Sequence, residues 1–396
     1  MEDRIAWIRF QQIFGYGTVR AGKILDRLGH PSALFAETEA RLGQLGFTQV
    51  ELERFRTTGS EEEARKILDR CYKKDCRLLT PDDPDYPQRL REIYSFPAVL
   101  YLRGSLSGLD DCLAIGMVGT RVCTDYGRRA ARTLAGELAE KGVVIVSGMA
   151  RGIDTVSHTA ALRAGGRTIA VLGCGIDIVY PPENLQLEET ILQYGGAVVT
   201  EYPPGTQPLP RHFPVRNRII SGLSNGVVVV EGTRHSGSLI TAGHAFAQNR
   251  DVFAVPGNIF SPASQGPNYL LRQNAKAVDG VESILEEYQF LIQWETPEEP
   301  IQKSLFEELE KKGYNEEQRP LEKTSAKRKP AQQEVLPAYL TEVQQKIYAV
   351  LTSGEVFTAD HIAARSGLPL PGVLAALTQM EIFGIVKIHP GRRFSL

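Results

Sequence analysis

The sequence predicts an α/β fold built on a doubly wound parallel sheet, and two patterns predict it. The first is a set of six short apolar runs: Leu113–Val118, Val143–Val146, Thr168–Leu172, Ala197–Thr200, Gly226–Val230 and Val252–Val255. They are rich in β-branched residues, do not alternate with polar ones and are bounded by Gly or Pro, as suits strands buried on both faces. The second is the helical spacing between the runs. Strand–helix alternation of this kind builds a Rossmann-like sheet with helices on both sides.

The elements around that domain follow in order. Residues 1–80 read as a small helical domain, with apolar residues at helical spacing in Ile5-Trp7-Ile8 and Ile24-Leu25-Leu28. Residues 81–104 carry Pro81, Pro84, Pro87 and Pro97, cannot be continuous helix, and read as a connecting segment. The sheet domain spans 105–294. Residues 295–336 are poor in aromatics and rich in Glu, Lys, Gln and Pro, which predicts a flexible linker. Its closing cluster, Lys327-Arg328-Lys329-Pro330, fits either a solvated tail or a non-specific DNA contact. Residues 337–396 form a last module. Val343, Ile347, Val350 and Leu351 keep helical spacing, Thr358 caps a helix that Gly367 ends, and a third helix starts at Pro371. A hairpin from Ile385 to Phe394 closes the chain, so the module resembles a winged helix. Its third helix holds no Lys or Arg from Val373 to Phe383, which weighs protein contact or structural support equally with DNA reading.

Bulk properties narrow the function. A chain of 396 residues has room for two or three domains. A net charge of −2 gives no global positive field, so any anion site must be local. No apolar run reaches the ~18 residues of a membrane span, and Met1-Glu2-Asp3-Arg4 opens no signal peptide, so a cytoplasmic location is expected. The five cysteines (71, 76, 112, 123 and 174) share no metal or redox spacing and read as reduced thiols; no metal is expected. The histidines show no ligand spacing either. His158 fits local packing or, less readily, a place facing a nucleic-acid channel.

The chemistry sits where open α/β sheets bind ligands, at the carboxyl ends of the strands. Gly119-Thr120-Arg121 follows the first run and Ser147-Gly148-Met149-Ala150-Arg151-Gly152 the second. Both are Gly-bearing turns that open helices and present backbone N–H groups to an anion, each with an Arg able to grip phosphate. After the fourth run comes Arg211-His212-Phe213-Pro214-Val215-Arg216-Asn217-Arg218, in which donors flank an aromatic face. Basic residues interleaved with an aromatic compose a single-strand channel, while Phe213 fits a core position equally well. Gly237-Ser238 opens a further helix. Between Leu106 and Phe290 stand 13 Arg and two Lys against 17 acidic residues, a bias toward planar, bidentate recognition. Arg121, Arg151, Arg211, Arg216, Arg218 and Arg234 fall just after strands, on one rim.

No catalytic set emerges, and no cofactor is expected. Gly173-Cys174-Gly175 lacks the third Gly of a dinucleotide fingerprint, since Ile178 is there, and Ser147-Gly148 is no nucleophile elbow.

Taken together, Gly119-Thr120-Arg121 with Tyr126-Gly127, Ser147-Gly148 through Gly152-Ile153-Asp154 with His158, Tyr180-Pro181 with Asn184, Pro214 through Arg216-Asn217-Arg218 to Ser224, and Gly237-Ser238-Leu239 with Thr241-Ala242 resemble, in order, the motifs of the DNA-processing protein A (DprA, or Smf) family. The resemblance implies an extended Rossmann fold that binds single-stranded DNA without catalysing a reaction. It assigns that contact to Gly119, Thr120, Arg121, Ser147, Gly148, Arg151, Gly152, Arg211, Phe213, Arg216, Asn217, Arg218, Gly237 and Ser238. It also implies a homodimer, and loading of the RecA recombinase onto incoming strands during natural transformation. The N-terminal helices resemble the family's sterile-alpha-motif-like or helix-hairpin-helix domain, with Ile13-Phe14-Gly15-Tyr16-Gly17 as the hairpin. Tyr269, Leu270 and Leu271 are adjacent apolar groups on a segment read as helical to Ala277. One at least should emerge for a partner copy to cover.

The rival is a phosphoribohydrolase of the lonely guy type, whose Gly-rich motif carries an acting Glu. Thr241 stands at that place here, and a hydroxyl of ordinary pKa cannot replace the carboxylate. Glu231 lies nearby, at the end of a strand.

Overall fold

A computed structural model describes residues 2–290 and, further on, 342–352, 357–382, 385–389 and 393–395. The expected linker and its basic cluster lie outside the described residues. The chain divides into two compact units, Met1–Glu308 and Leu309–Leu396.

The first unit begins with helices α1 (Glu2–Phe14), α2 (Val19–Leu28), α3 (Pro31–Leu34), α4 (Glu39–Gln44), α5 (Gln49–Thr57) and α6 (Glu61–Lys73). Thr18, Thr38, Thr48 and Ser60 each cap one by accepting a backbone N–H, which supplies the partner that a helix start otherwise lacks. Strands β1 (Arg77–Leu79) and β2 (Leu100–Gly104) follow, with α7 (Gln88–Arg91) between them. The alternating region then supplies β3 (Ala114–Val118), α8 (Asp125–Glu140), β4 (Val144–Ser147), α9 (Ile153–Arg163), β5 (Thr168–Val171), α10 (Leu185–Gln193) and β6 (Ala197–Thr200). After it come α11 (His212–Gly222), β7 (Gly226–Val229), α12 (Gly237–Ala247), β8 (Asp251–Ala254), α13 (Gln265–Leu271) and β9 (Lys276–Ala277).

All six predicted runs are strands, and they pair in parallel in the order β6-β5-β4-β3-β7-β8. The segment expected only to connect does more. It adds β2 antiparallel to β6, with Tyr101 opposite Thr200, and the strand just before it, β1, pairs outside β2. On the other edge β9 extends the sheet, where a helix was expected to run on to Ala277. That helix stops at Leu271, and the chain turns through Asn274 in the left-handed region (φ 65).

Two apolar layers cover the sheet. One gathers Val146, Val171, Ile219, Val227 and Ala242, the other Ile115, Leu134, Ile145, Val228 and Phe253. The N-terminal helices have no core of their own: Phe10, Ile13 and Leu68 share one with Tyr101, Ala170, Leu172 and Val198. The Gly15-Tyr16-Gly17 turn between α1 and α2 is packed onto α11. Gly17 has φ +68, and a Cβ there would stand 2.7 Å from Val215 Cγ1, so only glycine fits. The Tyr16 ring lies 4.6 Å from that of Tyr202. The expected helix-hairpin-helix turn is thus a buttress.

The chain fills the sheet outward from β3 to β6, then returns to place β7 beside β3. The crevice at the carboxyl ends of β3 and β7 is the topological switch point, where the loops diverge and leave room for a ligand.

The second unit holds helices Glu342–Leu351, Ala359–Ser366 and Leu370–Ile382 and a three-stranded antiparallel sheet with Arg393–Ser395 in the middle. Ile347, Ile362, Leu377, Met380 and Phe394 form its core. Thr358 and Gly367 cap the middle helix as predicted. This is a winged helix.

Candidate nucleic-acid interface

A cleft of about 520 Å³ opens at the switch point. Val118, Gly119, Thr120 and Arg121 line it from β3; Ala150 and Asp154 from β4 and α9; Phe213, Arg216 and Asn217 from α11; and Ser236, Gly237, Ser238 and Thr241 from the start of α12. Eight of the residues predicted to contact DNA are thereby brought to one place.

The loops reach it because glycines let the backbone pass closely. A Cβ on Gly119 would stand 2.5 Å from Ile153 Cγ1. Gly152 (φ +76) would press one to 2.4 Å from the Thr120 carbonyl oxygen. Both glycines shape the site through the backbone.

Arg121 is exposed and has no ion-pair partner among the described residues; its guanidinium carbon lies 5.3 Å from the Phe213 ring centre. The half-buried Phe213 leans on Gly173, whose hydrogen leaves room where a Cβ would come within 2.9 Å of the ring. Its other neighbour is Tyr180, ring centres 5.6 Å apart. Phe213 is therefore a wall of the cleft, with its ring between two guanidinium groups and an aromatic partner. At the α12 start, the Ser236 side chain accepts from the Ser238 N–H, and Asn217 Nδ2 donates to the Gly237 carbonyl at 3.2 Å. The N-terminal turn of α12 is held facing the cleft, where backbone N–H groups and the helix dipole favour an anion.

Arg216 forms the floor. It is buried and donates to the Gly148 carbonyl at 2.8 Å and to the Val171 carbonyl. Asp154 lies beside it. Burial pushes this carboxyl up to about 6, against the opposing pull of Arg216 and the Ala150 and Gly148 N–H groups. The cleft thus carries a carboxyl that titrates near neutrality.

Other predicted contacts are placed elsewhere. Arg218 points away from the cleft into the interior, donating at 2.5 and 2.6 Å to Glu201, with both side chains about 3% exposed. Ser147 ends β4 with its hydroxyl turned into the core, donating to the Met117 carbonyl at 2.6 Å. Arg151 is exposed but paired with Glu183. Arg211 is exposed just before α11, next to the cleft-lining Pro210, and forms no ion pair among the described residues. His158 is fully buried; Thr168 Oγ donates to the Ile145 carbonyl and so accepts from His158 Nδ1 at 2.7 Å. Burial, more than the nearby Arg216, holds that imidazole neutral, its pKa down at about 3.

Sequence reading gave no role to Asp154, Tyr180, Ser236 or Thr233. The first two stood in quoted motifs, and only the fold turns them to the cleft. Leu270 is core, Leu271 packs half-buried against that core, and Tyr269 lies half-buried beneath two arginines. Leu270 is thus unavailable to a partner copy, while Tyr269 and Leu271 each keep part of their surface exposed.

Glu231 is fully engaged: its carboxylate accepts from the Thr124 N–H at 2.9 Å and from the Thr124 hydroxyl at 2.5 Å, capping α8. Among the described residues no group of three or more His, Cys, Asp and Glu is placed to hold a metal, and no helix is long and apolar enough to cross a membrane.

Known proteins resemble this chain in sequence and fold. The model of the DNA recombination-mediator protein A family matches residues 77–289, and that of the DprA winged helix domain matches 327–392. Protein Smf of Escherichia coli K12 is 35% identical over 397 aligned positions, covering 99% of this chain and 95% of that protein. DNA processing protein DprA of Bacillus subtilis is 50% identical over 202 positions, covering 51% of this chain and 68% of that one. The solved DprA of Streptococcus pneumoniae superposes with a TM-score of 0.61 at 35% identity, over 71% of this chain and 96% of that one. That of Helicobacter pylori, described for its unique single-stranded DNA binding mode, gives 0.50 at 29%, over 55% and 98%. Matched along nearly its whole length, the chain belongs to the DNA recombination-mediator protein A family.

Proposed function

We propose that the chain binds single-stranded DNA in the switch-point cleft and passes it to a RecA-type recombinase, as a mediator and not as an enzyme. The observation that carries the reading is the joining of three kinds of contact in one cleft. Arg121 is a free guanidinium, Phe213 offers an aromatic wall, and α12 presents its N-terminal N–H groups. Together they fit phosphate, base and phosphate along one strand, and a stacking wall suits an unpaired base. The single-strand contact named for the Helicobacter pylori relative supports the same reading.

Gly119, Thr120, Arg121, Phe213, Asn217, Gly237 and Ser238 contact the strand in this proposal, and Arg211 meets it at the rim. Gly148, Gly152 and Arg216 position them. Self-association belongs to the proposal as well, with the half-buried Tyr269 and Leu271 as the part of the expected contact that keeps some surface exposed. The hydrolase alternative lacks a free carboxylate on α12: Thr241 lines the cleft and Glu231 is spent on α8.

The test is competition at moderate salt. A labelled single-stranded oligonucleotide should be displaced by unlabelled single strands and poorly by duplex. Equal displacement by duplex refutes the channel. Release of free base from nucleoside monophosphates above a buffer control would restore the enzyme.

A further inference from the structure

We propose that a single strand leaving the cleft crosses a second contact made by Arg234, Tyr269 and Arg272. The proposal rests on the reading of the cleft and extends it. Thr233 and Ser236 line the cleft, and between them Arg234 and His235 are exposed, so Arg234 is one residue outside it. Two backbone bonds fix this loop against the segment leading into α13. The Gly232 N–H donates to Ala263 at 2.7 Å, and the Gly266 N–H donates to Gly232 at 2.8 Å. Tyr269 on α13 then lies under both arginines, with guanidinium carbons 4.6 Å (Arg234) and 5.9 Å (Arg272) from its ring centre.

The charge at this place is uncompensated. Neither Arg234 nor Arg272 forms an ion pair with a carboxylate among the described residues, although two like charges share one ring. A ring face attracts a guanidinium but does not neutralise it. Neither guanidinium makes a side-chain hydrogen bond among the described residues, so the N–H donors of both remain available, in the planar fork that grips phosphate. An anion bridging the two arginines would relieve their repulsion. The anion that continuity with the cleft supplies is the next phosphodiester of the bound strand. Arg234 and Arg272 would hold phosphate, and Tyr269 would be a positioning residue that keeps the two guanidinium groups in register.

The test uses the full chain with oligothymidylates of about 6 nucleotides, which fill the cleft alone, and about 25, which pass beyond it. Arg234→Ala and Arg272→Ala should leave the short strand's affinity unchanged. Each should weaken the long strand several-fold and lower its salt slope by about 0.7, one phosphate each. Arg272→Lys should restore the slope, because a charge remains. Arg121→Ala should weaken both strands. If it weakens both while Arg234→Ala and Arg272→Ala change neither, the cleft stands and the extension is wrong. If Arg121→Ala changes neither, the cleft reading falls and the extension with it. If the long-strand loss in Arg272→Ala comes with a lower sedimenting mass, the surface serves protein association, and the proposal is overturned.

Discussion

The loops at the strand ends keep Arg121, Arg211 and Arg234 exposed and, among the described residues, without carboxylate partners, whereas α11 takes Arg216 and Arg218 into the interior. The side chains are the same, and the environments give them different work. A solvated guanidinium with no partner keeps its donors for a ligand. A buried one must spend them on carbonyls or a carboxylate, or its charge would be too costly to hold. Arg216 spends its donors on the Gly148 and Val171 carbonyls and so ties the β4 loop to β5; Arg218 gives Nη2 to both carboxylate oxygens of Glu201. The charge pairing holds Arg218 inside although its Nε and Nη1 have no hydrogen-bond partner among the described residues. The interior arginines build the cleft, while Arg121 in its wall and Arg234 just outside it keep their donors available to a ligand.

The largest effect that can break this contrast is in stability. Arg218→Ala leaves Glu201 buried without its cation, and burial already pushes that carboxyl up. We expect a loss of about 3–5 kcal/mol in a denaturant titration, with oligonucleotide affinity of the folded fraction unchanged. Intact stability with weakened binding would return Arg218 to the DNA.

Next is Gly173→Ala. The added methyl would meet the Phe213 ring, which must shift. The expected cost is about 1–3 kcal/mol, together with weaker single-strand binding as the wall moves.

Asp154 sharpens the contrast through pH. Its folded value of about 6 lies above the ordinary 3.8. Ionisation therefore disfavours the folded state: the stability linked to this group is full below about 3.8 and is lost as pH rises through about 6. The same ionisation puts a negative charge in a phosphate site. Single-strand affinity should rise as pH falls from 7.5 to 5.5, by a measure that Asp154→Asn removes. The difference between the two profiles isolates this carboxyl from every other group. Superimposable profiles would contradict its place in the cleft.

The smallest effect belongs to Arg151. Its partner Glu183 is as exposed as itself. Arg151→Ala should change stability by less than about 1 kcal/mol, the usual worth of a surface pair, and binding less than Arg121→Ala does.

The six central strands were legible because parallel strands buried on both faces leave unbroken apolar runs. The edges were not. Leu100-Tyr101-Leu102 sits among prolines, β1 has three residues and β9 two, too few to show a period. The Gly-bearing turns were legible for the same chemical reason that they work, backbone N–H groups at helix starts. The fates of the arginines were not, since burial of Arg218 depends on Glu201 and on the Gly17 turn, some 200 positions upstream. Ser147 misled because it follows the strand pattern to its end and turns its hydroxyl inward, where the motif alone placed it at the ligand.

The central claim is that free guanidinium groups at the switch point hold the phosphates of a single strand. The most direct measurement is the salt dependence of single-strand affinity for the wild type and Arg121→Ala, with Tm recorded for both. The account predicts an unchanged Tm and a slope lower by about 0.7, the loss of one phosphate contact on a single strand. An unchanged slope at unchanged Tm would contradict it.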